Sequence, residues 1–543
     1  MIDDVLWPYS MKTSRMQNWA LSSAHANKPP PRYFNPAAKY RGGWDDFECR
    51  HTTLFSTILA MDKANGVLTD LQNSGLPLNK LDSHEQTVWH WAVKRGSWNC
   101  LHELLLLFKG GKASRWIMGK DRHGVTPLHL AAKQPTAKFL KALLCELGPR
   151  DLYNECRDFN GQSPLHYAAA AGSLATCEVL LEDQWKLPLD QRDVFGQTPL
   201  MYAVGNKKAD AETIRLLGGK KSITVAMRNK RGMTALHIAV LANNATALDV
   251  LLNQLKFNAT VFDNENRTPL HYAALYGRME MAQLLIHVGA SNDTRDCHNV
   301  TAAHYAAQAG HFETLSCILQ ASGGKDLLDS DNRSCLMWAV IAGRAEVVKK
   351  MLTDKNVELF SKSHKDNNQH TALHLAALNG NKEICKILVE DGYNTLERDI
   401  YDATPDHLAA GQGHIDAVTY FTFNKGGSGP ALLDTLGRTP FFYACLGGQA
   451  HVVDVMARGQ PGLDANHEDS LGQTAMHCAV IAGSVACVDV LLKHGYEPNA
   501  ADHNGTTPLE LAKEKDMNEI VRLLAERINP VKAIADSSIK KNT

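Results

Sequence analysis

The chain has 543 residues, with 57 Lys plus Arg against 58 Asp plus Glu and a formal net charge of −1 at pH 7. So balanced a charge gives no overall field to attract nucleic acid or an anionic membrane, and neither is an expected partner. The opening residues, Met1 to Pro8, have no basic stretch ahead of an apolar core, and no run approaches the ~18 apolar residues of a membrane span. These features predict a cytoplasmic chain with no transmembrane segment. The 12 cysteines are scattered without a Cys-x-x-Cys pair, as expected of buried, reduced thiols. At this length a single conventional core is not expected, and internal repetition is the first thing to look for.

Residues 1–48 show no period and contain Pro29-Pro30-Pro31 and Gly42-Gly43, which predicts an extended arm. Its aromatic residues, Trp7, Trp19 and Trp44 among them, either fold back on the first repeat or contact a partner. Thr53-Leu54-Phe55 begins a divergent N-terminal cap over about 49–81.

From there a Thr or Ser anchor recurs at 87, 126, 163, 198, 234, 268, 301, 334, 371, 404, 439, 474 and 507, at spacings of 33 to 39 residues. Five residues before each anchor stands Asp, or Asn229 in one case, a short acceptor suited to fixing a tight turn. Two before it is Gly, Asn or Asp, types that tolerate a left-handed backbone; only Glu85 and Gln369 depart from this. The anchor predicts a helix N-cap, often followed by Pro at the first helical position. Five residues past the anchor the residue is Ala in all thirteen units, which marks close approach between stacked helices. Nine past it, Gly usually ends the first helix and a second follows.

The predicted fold is an all-α repeat solenoid of about 13–14 helix-turn-helix units with β-hairpin tips. Repeats run over about 82–500, a C-terminal cap over about 501–527 and a disordered tail over 528–543. Two units are irregular: in one Met201 replaces the usual His and Lys207-Lys208 the helix-ending Gly, and the other carries Cys335-Leu336-Met337-Trp338.

Nothing in the pattern points to catalysis, a cofactor or a metal. Nine histidines (90, 129, 166, 237, 271, 304, 374, 407 and 477) share one slot, three past the anchor, and a repeated structural slot explains them better than metal ligation does. His84-Glu85 does not open a zincin motif, because position 88 is Val. The glycine-rich stretches at 110–112 and 218–222 follow no buried strand, as a phosphate loop would. A stacked array instead presents a long concave face of hairpin tips and first helices. Candidate partner-binding residues there are Arg122, His123, Phe159, Phe195, Tyr276, His298 and Tyr401, types that dominate interface energetics. Met337 and Trp338 mark a candidate docking unit, and Trp7, Trp19 and Trp44 candidate arm contacts.

The unit plan resembles the ankyrin repeat, and the irregular units resemble those of the inversin family. Cys335 to Gly343 is similar to an inversin unit. Trp116 to Asp121, leading into Thr126-Pro127-Leu128-His129-Leu130, is similar to a second, and Thr198 to Leu217, with its insertion, to a third. The resemblance runs in register over roughly residues 80–525. It implies a non-catalytic scaffold for a NIMA-family serine/threonine kinase together with an ankyrin, sterile-alpha-motif protein, in ciliary, polarity, trafficking or moulting-type signalling. Inversins also carry calmodulin-binding IQ motifs. None is found here, so calmodulin is not an expected partner. The alternative is an ankyrin-type inhibitor or adaptor that masks a transcription or signalling factor.

Overall fold

The computed structural model describes residues 68, 81–82, 84–108, 113–147, 156–182, 184–185, 187–207, 209–219, 227–357, 360–423, 432–459 and 467–528. The expected arm, nearly all of the N-terminal cap and the tail after Ile528 lie outside the described residues. Among those described are 27 α-helices, falling into two compact units divided between Cys297 and His298. In the first unit, inner helices at Val88–Arg95, Pro127–Ala132, Pro164–Ala171, Pro199–Gly205, Ala235–Leu241 and Pro269–Leu275 pack successively on one another. In the second, Ala302–Ala309, Cys335–Ile341, Ala372–Leu378, Pro405–Gln412, Pro440–Leu446, Ala475–Ile481 and Pro508–Glu514 do the same.

Each unit of the repeat starts with a turn built on one side chain. Asp121 Oδ1 accepts the main-chain N–H groups of His123 and Val125, both at 2.9 Å. The main chain closes the turn through Asp121 N–H to Val125 O at 2.9 Å and Gly124 N–H to Asp121 O at 2.8 Å. Asp158, Asp193, Asn229 and Asp263 repeat the side-chain pair in the first unit. Asp329, Asp366, Asp399, Asp434, Asp469 and Asp502 repeat it in the second. The expected β-hairpins are thus single turns, too short for strands among the described residues, although Leu328 and Ser334 form a bridge. The turn demands a left-handed residue. Glu85 and Gln369, whose types break the pattern, adopt that conformation all the same, each at φ 61°.

The anchor then caps the inner helix in a way that fixes the chemistry of its histidine. Thr126 N–H donates to His129 Nδ1 at 3.2 Å, and His129 Nε2 lies 3.1 Å from the carbonyl oxygen of Gln162 in the next repeat. A main-chain N–H can only donate and a carbonyl can only accept, so the ring is the neutral Nε2–H tautomer. All nine slot histidines accept from their anchor's N–H. Eight of them reach a carbonyl of the following repeat at 3.0–3.2 Å. The ring edges also meet the next repeat's aromatic residue, as in His129–Tyr167 at 5.0 Å and His407–Tyr443 at 5.1 Å between centroids. That Tyr turns its hydroxyl back to the turn acceptor: Tyr202 and Tyr272 each donate to an Asp Oδ2 at 2.7 Å.

Between stacked inner helices the thirteen alanines are all fully buried. A larger side chain would force the helices apart, at a cost of about 1–3 kcal/mol. The outer helices bury one stripe each: Lys382–Glu390 covers Ile384, Cys385 and Leu388, and Met279–His287 covers Met281, Ala282 and Leu285.

Burial pulls six of the slot histidines down: His90, then His129, His166, His237 and His407 to about 4, and His374 to about 3. Between pH 6.5 and those values the unfolded chain holds protons that the folded chain does not, so stability falls on acidification by about 1.4 kcal/mol per pH unit for each histidine. The melting temperature should therefore drop as pH goes from 7 to 5, with uptake of several protons on unfolding. A flat profile over that range would contradict the neutral assignment.

Two glycines separate backbone strain from steric contact. Gly124 (φ +77°) and Gly505 (φ +80°) share a conformation, but a Cβ on Gly124 would sit 2.6 Å from Phe159 N whereas one on Gly505 meets nothing within 4 Å. Both alanine variants incur about 1 kcal/mol of left-handed strain. Gly124→Ala should lose about 1–3 kcal/mol more in thermal or denaturant unfolding, and equal losses would refute the difference.

Candidate functional site

With the anchor, the turn acceptor, the alanine and the histidine committed to the fold, the two residues following each turn acceptor are free to vary. Their main chain stacks the tips in a row. In the first unit Arg122 N–H donates to His84 O at 3.1 Å, Phe159 to His123 at 3.1 Å, Val194 to Asn160 at 2.8 Å, Lys230 to Phe195 at 3.0 Å and Asn264 to Arg231 at 3.1 Å. In the second unit Asn367 donates to Asp331 at 3.0 Å, Ile400 to Asn368 at 3.3 Å, Thr435 to Tyr401 at 3.0 Å, Ser470 to Leu436 at 2.8 Å and His503 to Leu471 at 3.0 Å. Each tip therefore holds the next in register, and most of the tip side chains are exposed.

The sequence-derived candidates separate on this frame. Arg122, His123, Phe159 and Phe195 share consecutive tips of the first unit and are exposed, Phe159 by 67 % and Phe195 by 46 %. His298 is exposed on a tip of the second unit. Tyr276 is half-buried and follows the inner helix Pro269–Leu275, where burial pushes its hydroxyl up; it is not on a tip. Tyr401 is on a tip but packs against the cluster of Ala403, Leu408 and Tyr443. Trp7, Trp19 and Trp44 lie outside the described residues.

Met337 and Trp338 require correction as a docking point. They are 2 % and 7 % exposed, because they fill the His and Tyr slots of their repeat. Trp338 Nε1 donates to Asp329 Oδ2 at 2.9 Å, and its ring meets His304 edge-on at 5.6 Å. Met201, 1 % exposed, and Phe442, 2 % exposed, occupy the same His slot in their own repeats and cannot carry the link to the next carbonyl.

Sequence reasoning missed other tip features. Val194, Ile400 and Leu471 are exposed apolar residues, and Arg157 and Arg192 flank the aromatic tips; all occupy positions the repeat leaves unconstrained. It also missed an ionic chain inside the second unit. His370 stands 3.5 Å from Asp366 and 3.6 Å from Asp399, and Arg333 Nε lies 3.6 Å from Asp366. Burial alone would lower His370, but hydrogen bonding with the two carboxylates raises it to about 9. It fills the position that Arg267 and Arg438 occupy in their repeats, where each pairs with its own turn Asp, at 3.0 and 2.8 Å. Its contribution to stability is complete below pH 6.5 and is lost as pH rises through 9, opposite in sign to the slot histidines.

Eight of the described cysteines are buried, and burial pushes the Cys156 thiol up to about 12; Cys145 and Cys297, expected to be buried, are exposed. Among the described residues no group of His, Cys, Asp and Glu could hold a metal ion, and no helix is long and apolar enough to cross a membrane.

Stacked helix-turn-helix units with projecting turns define an all-α repeat solenoid, a class whose surface is built for protein contact. The family model for ankyrin repeats (3 copies) matches residues 136–226, 207–296, 289–362, 357–428, 407–502 and 456–534, and the chain belongs to the ankyrin-repeat family. It is 31% identical to inversin of Canis lupus familiaris over 218 residues, 39% of this chain and 19% of that protein. Human inversin gives the same figures, and mouse rabankyrin-5 is 31% identical over 196 residues, 34% of this chain and 16% of its own. The matched stretch spans about a fifth of the inversins' length and is shorter than residues 80–525. Equal identity to rabankyrin-5 does not single out inversin.

The contrast between tip and slot can be measured directly. Phe159→Ser and Phe195→Ser should each change unfolding stability by no more than about 1 kcal/mol, whereas Trp338→Ala should cost about 3–5 kcal/mol. Comparable losses at all three positions would show that the tip rings belong to the core.

Proposed function

We propose that this chain is a non-catalytic scaffold that binds partner proteins through its hairpin tips and adjacent inner-helix ends. One observation carries this reading: the repeated polar residues are used inside the fold, while the tip row leaves large side chains such as Phe159 and Phe195 projecting. Exposed aromatic and Arg side chains are the residue types that anchor protein interfaces. On this reading Arg122, His123, Phe159, Phe195 and His298 are direct contacts, Tyr276 and Tyr401 line the edges, and the arm adds Trp7, Trp19 and Trp44. The ankyrin array extends from about residue 49 to 527.

The resemblance of the irregular units to inversin, with 31% identity over 218 residues, supports a finer reading. The scaffold tethers a NIMA-family serine/threonine kinase with an ankyrin, sterile-alpha-motif partner and concentrates them at a cilium, the cell cortex or an apical compartment, in polarity, trafficking or moulting-type signalling.

Affinity purification of the tagged full chain from its native cells, with partners identified by mass spectrometry, tests both levels. A NIMA-family kinase should be recovered with the wild type and depleted by Phe159→Ser/Phe195→Ser. Specific partners that include no such kinase would refute the finer reading, and an absence of specific partners would refute the scaffold.

A further inference from the structure

The tips of the first unit differ in charge from those of the second. Asp121's turn carries Arg122 and His123, and Asn229's carries Lys230 and Arg231, all exposed. The two turns between them carry Phe159, Val194 and Phe195, at 67 %, 42 % and 46 % exposure, and are entered through Arg157 and Arg192. The tip-to-tip hydrogen bonds from Phe159, Val194 and Lys230 make these four turns one continuous row. It is an apolar centre with cations at both ends and along one margin.

Among the described residues no carboxylate forms an ion pair with these cations. The carboxylates on the four turns are Asp121, Asp158 and Asp193, each at most 6 % exposed and bonded into its own turn. Where the cations have partners in the row, those partners are neutral. Arg157 Nη1 donates to Arg192 O at 3.2 Å, Arg192 Nη2 to Met227 Sδ at 3.0 Å and Arg122 Nε to His123 Nε2 at 3.1 Å. Nor does the turn itself require cations. In the second unit the two residues after the turn acceptor include Asp331, Asn367, Asn368, Ile400, Tyr401 and Leu471, with no Lys or Arg at these positions on any described tip; only the entry cations recur, Lys365 and Arg398 standing where Arg157 and Arg192 do.

Resting on the scaffold reading, we infer that this row is the receptor for an acidic segment of a partner protein. Its carboxylates would meet Arg122, Lys230 and Arg231, and its aromatic or aliphatic side chains the Phe159–Phe195 centre. A polyanion such as single-stranded nucleic acid fits less well. The whole chain's charge of −1 gives no long-range field for it. Moreover, the Phe159 ring lies against Gly124, its Cδ1 2.8 Å from where a Cβ would stand, so one edge of the ring is taken up by the neighbouring turn.

The test pans a phage-displayed library of random linear peptides on the purified full chain. It then titrates the selected peptides against Arg122→Glu/Lys230→Glu/Arg231→Glu and, separately, Phe159→Ser/Phe195→Ser. Each variant is first shown to melt as the wild type does, with Arg122→Gln/Lys230→Gln/Arg231→Gln in reserve. Selected peptides should combine Asp or Glu with aromatic or aliphatic residues, lose about tenfold or more in affinity on either variant, and weaken as NaCl is raised. Selection without acidic enrichment, or acidic peptides that bind both variants like the wild type, overturns the inference. So does tighter binding of oligo(dT) that the charge variant abolishes. Recovery of cellular partners that survives the charge variant would sink the acidic receptor and leave the scaffold standing; a wild type that recovers none would sink the scaffold.

Discussion

The structure depends on a neutral histidine held between two main-chain groups. Because Nδ1 is occupied by the anchor's N–H, Nε2 must carry the proton, and that proton is directed at the carbonyl of the following repeat. One side chain thereby satisfies an otherwise orphaned donor at a helix start and joins one repeat to the next. Repeats contact only their neighbours in such an array, so this bond and the alanine interface are what each additional repeat contributes to cooperativity. In Met201, Met337 and Phe442 the slot keeps its volume but loses the bond, leaving apolar packing and the tip-to-tip main-chain bonds to hold those steps.

Much of this was legible in the sequence because each repeated residue answers one local demand. Asp at the turn, Gly or Asn in the left-handed position, Thr at the cap, His three residues on and Ala at the contact are each the residue type that its geometry requires. Less legible were positions where the fold overrides type. Glu85 and Gln369 are poor candidates for a left-handed residue, yet the surrounding turn places them there. His370 bears no mark in the sequence of being charged. Its state comes from two carboxylates belonging to different turns, Asp366 and Asp399, which only stacking brings together.

The candidate surface was legible only as a set of positions. Tip numbering identified Arg122, His123, Phe159 and Phe195, but exposure could not be read from residue type. Tyr401 turns inward onto Leu408 and Tyr443, and Trp338, the most conspicuous residue of its unit, is consumed by a bond to Asp329. The same economy explains why function concentrates at the tips: there the main chain does the stacking, so side chains can change without loss of fold.

The central claim, that the slot histidines are neutral Nε2–H links between repeats, is most directly tested by nitrogen-15 NMR of the imidazole rings in the uniformly labelled chain. At pH 6, slot residues such as His129, His237 and His407 should show one protonated and one unprotonated ring nitrogen with the Nε2–H protected from exchange, while His370 shows both nitrogens protonated. Imidazolium signals from the slot histidines at that pH, or Nδ1–H tautomers, would contradict the inter-repeat bond on which the fold is argued to rest.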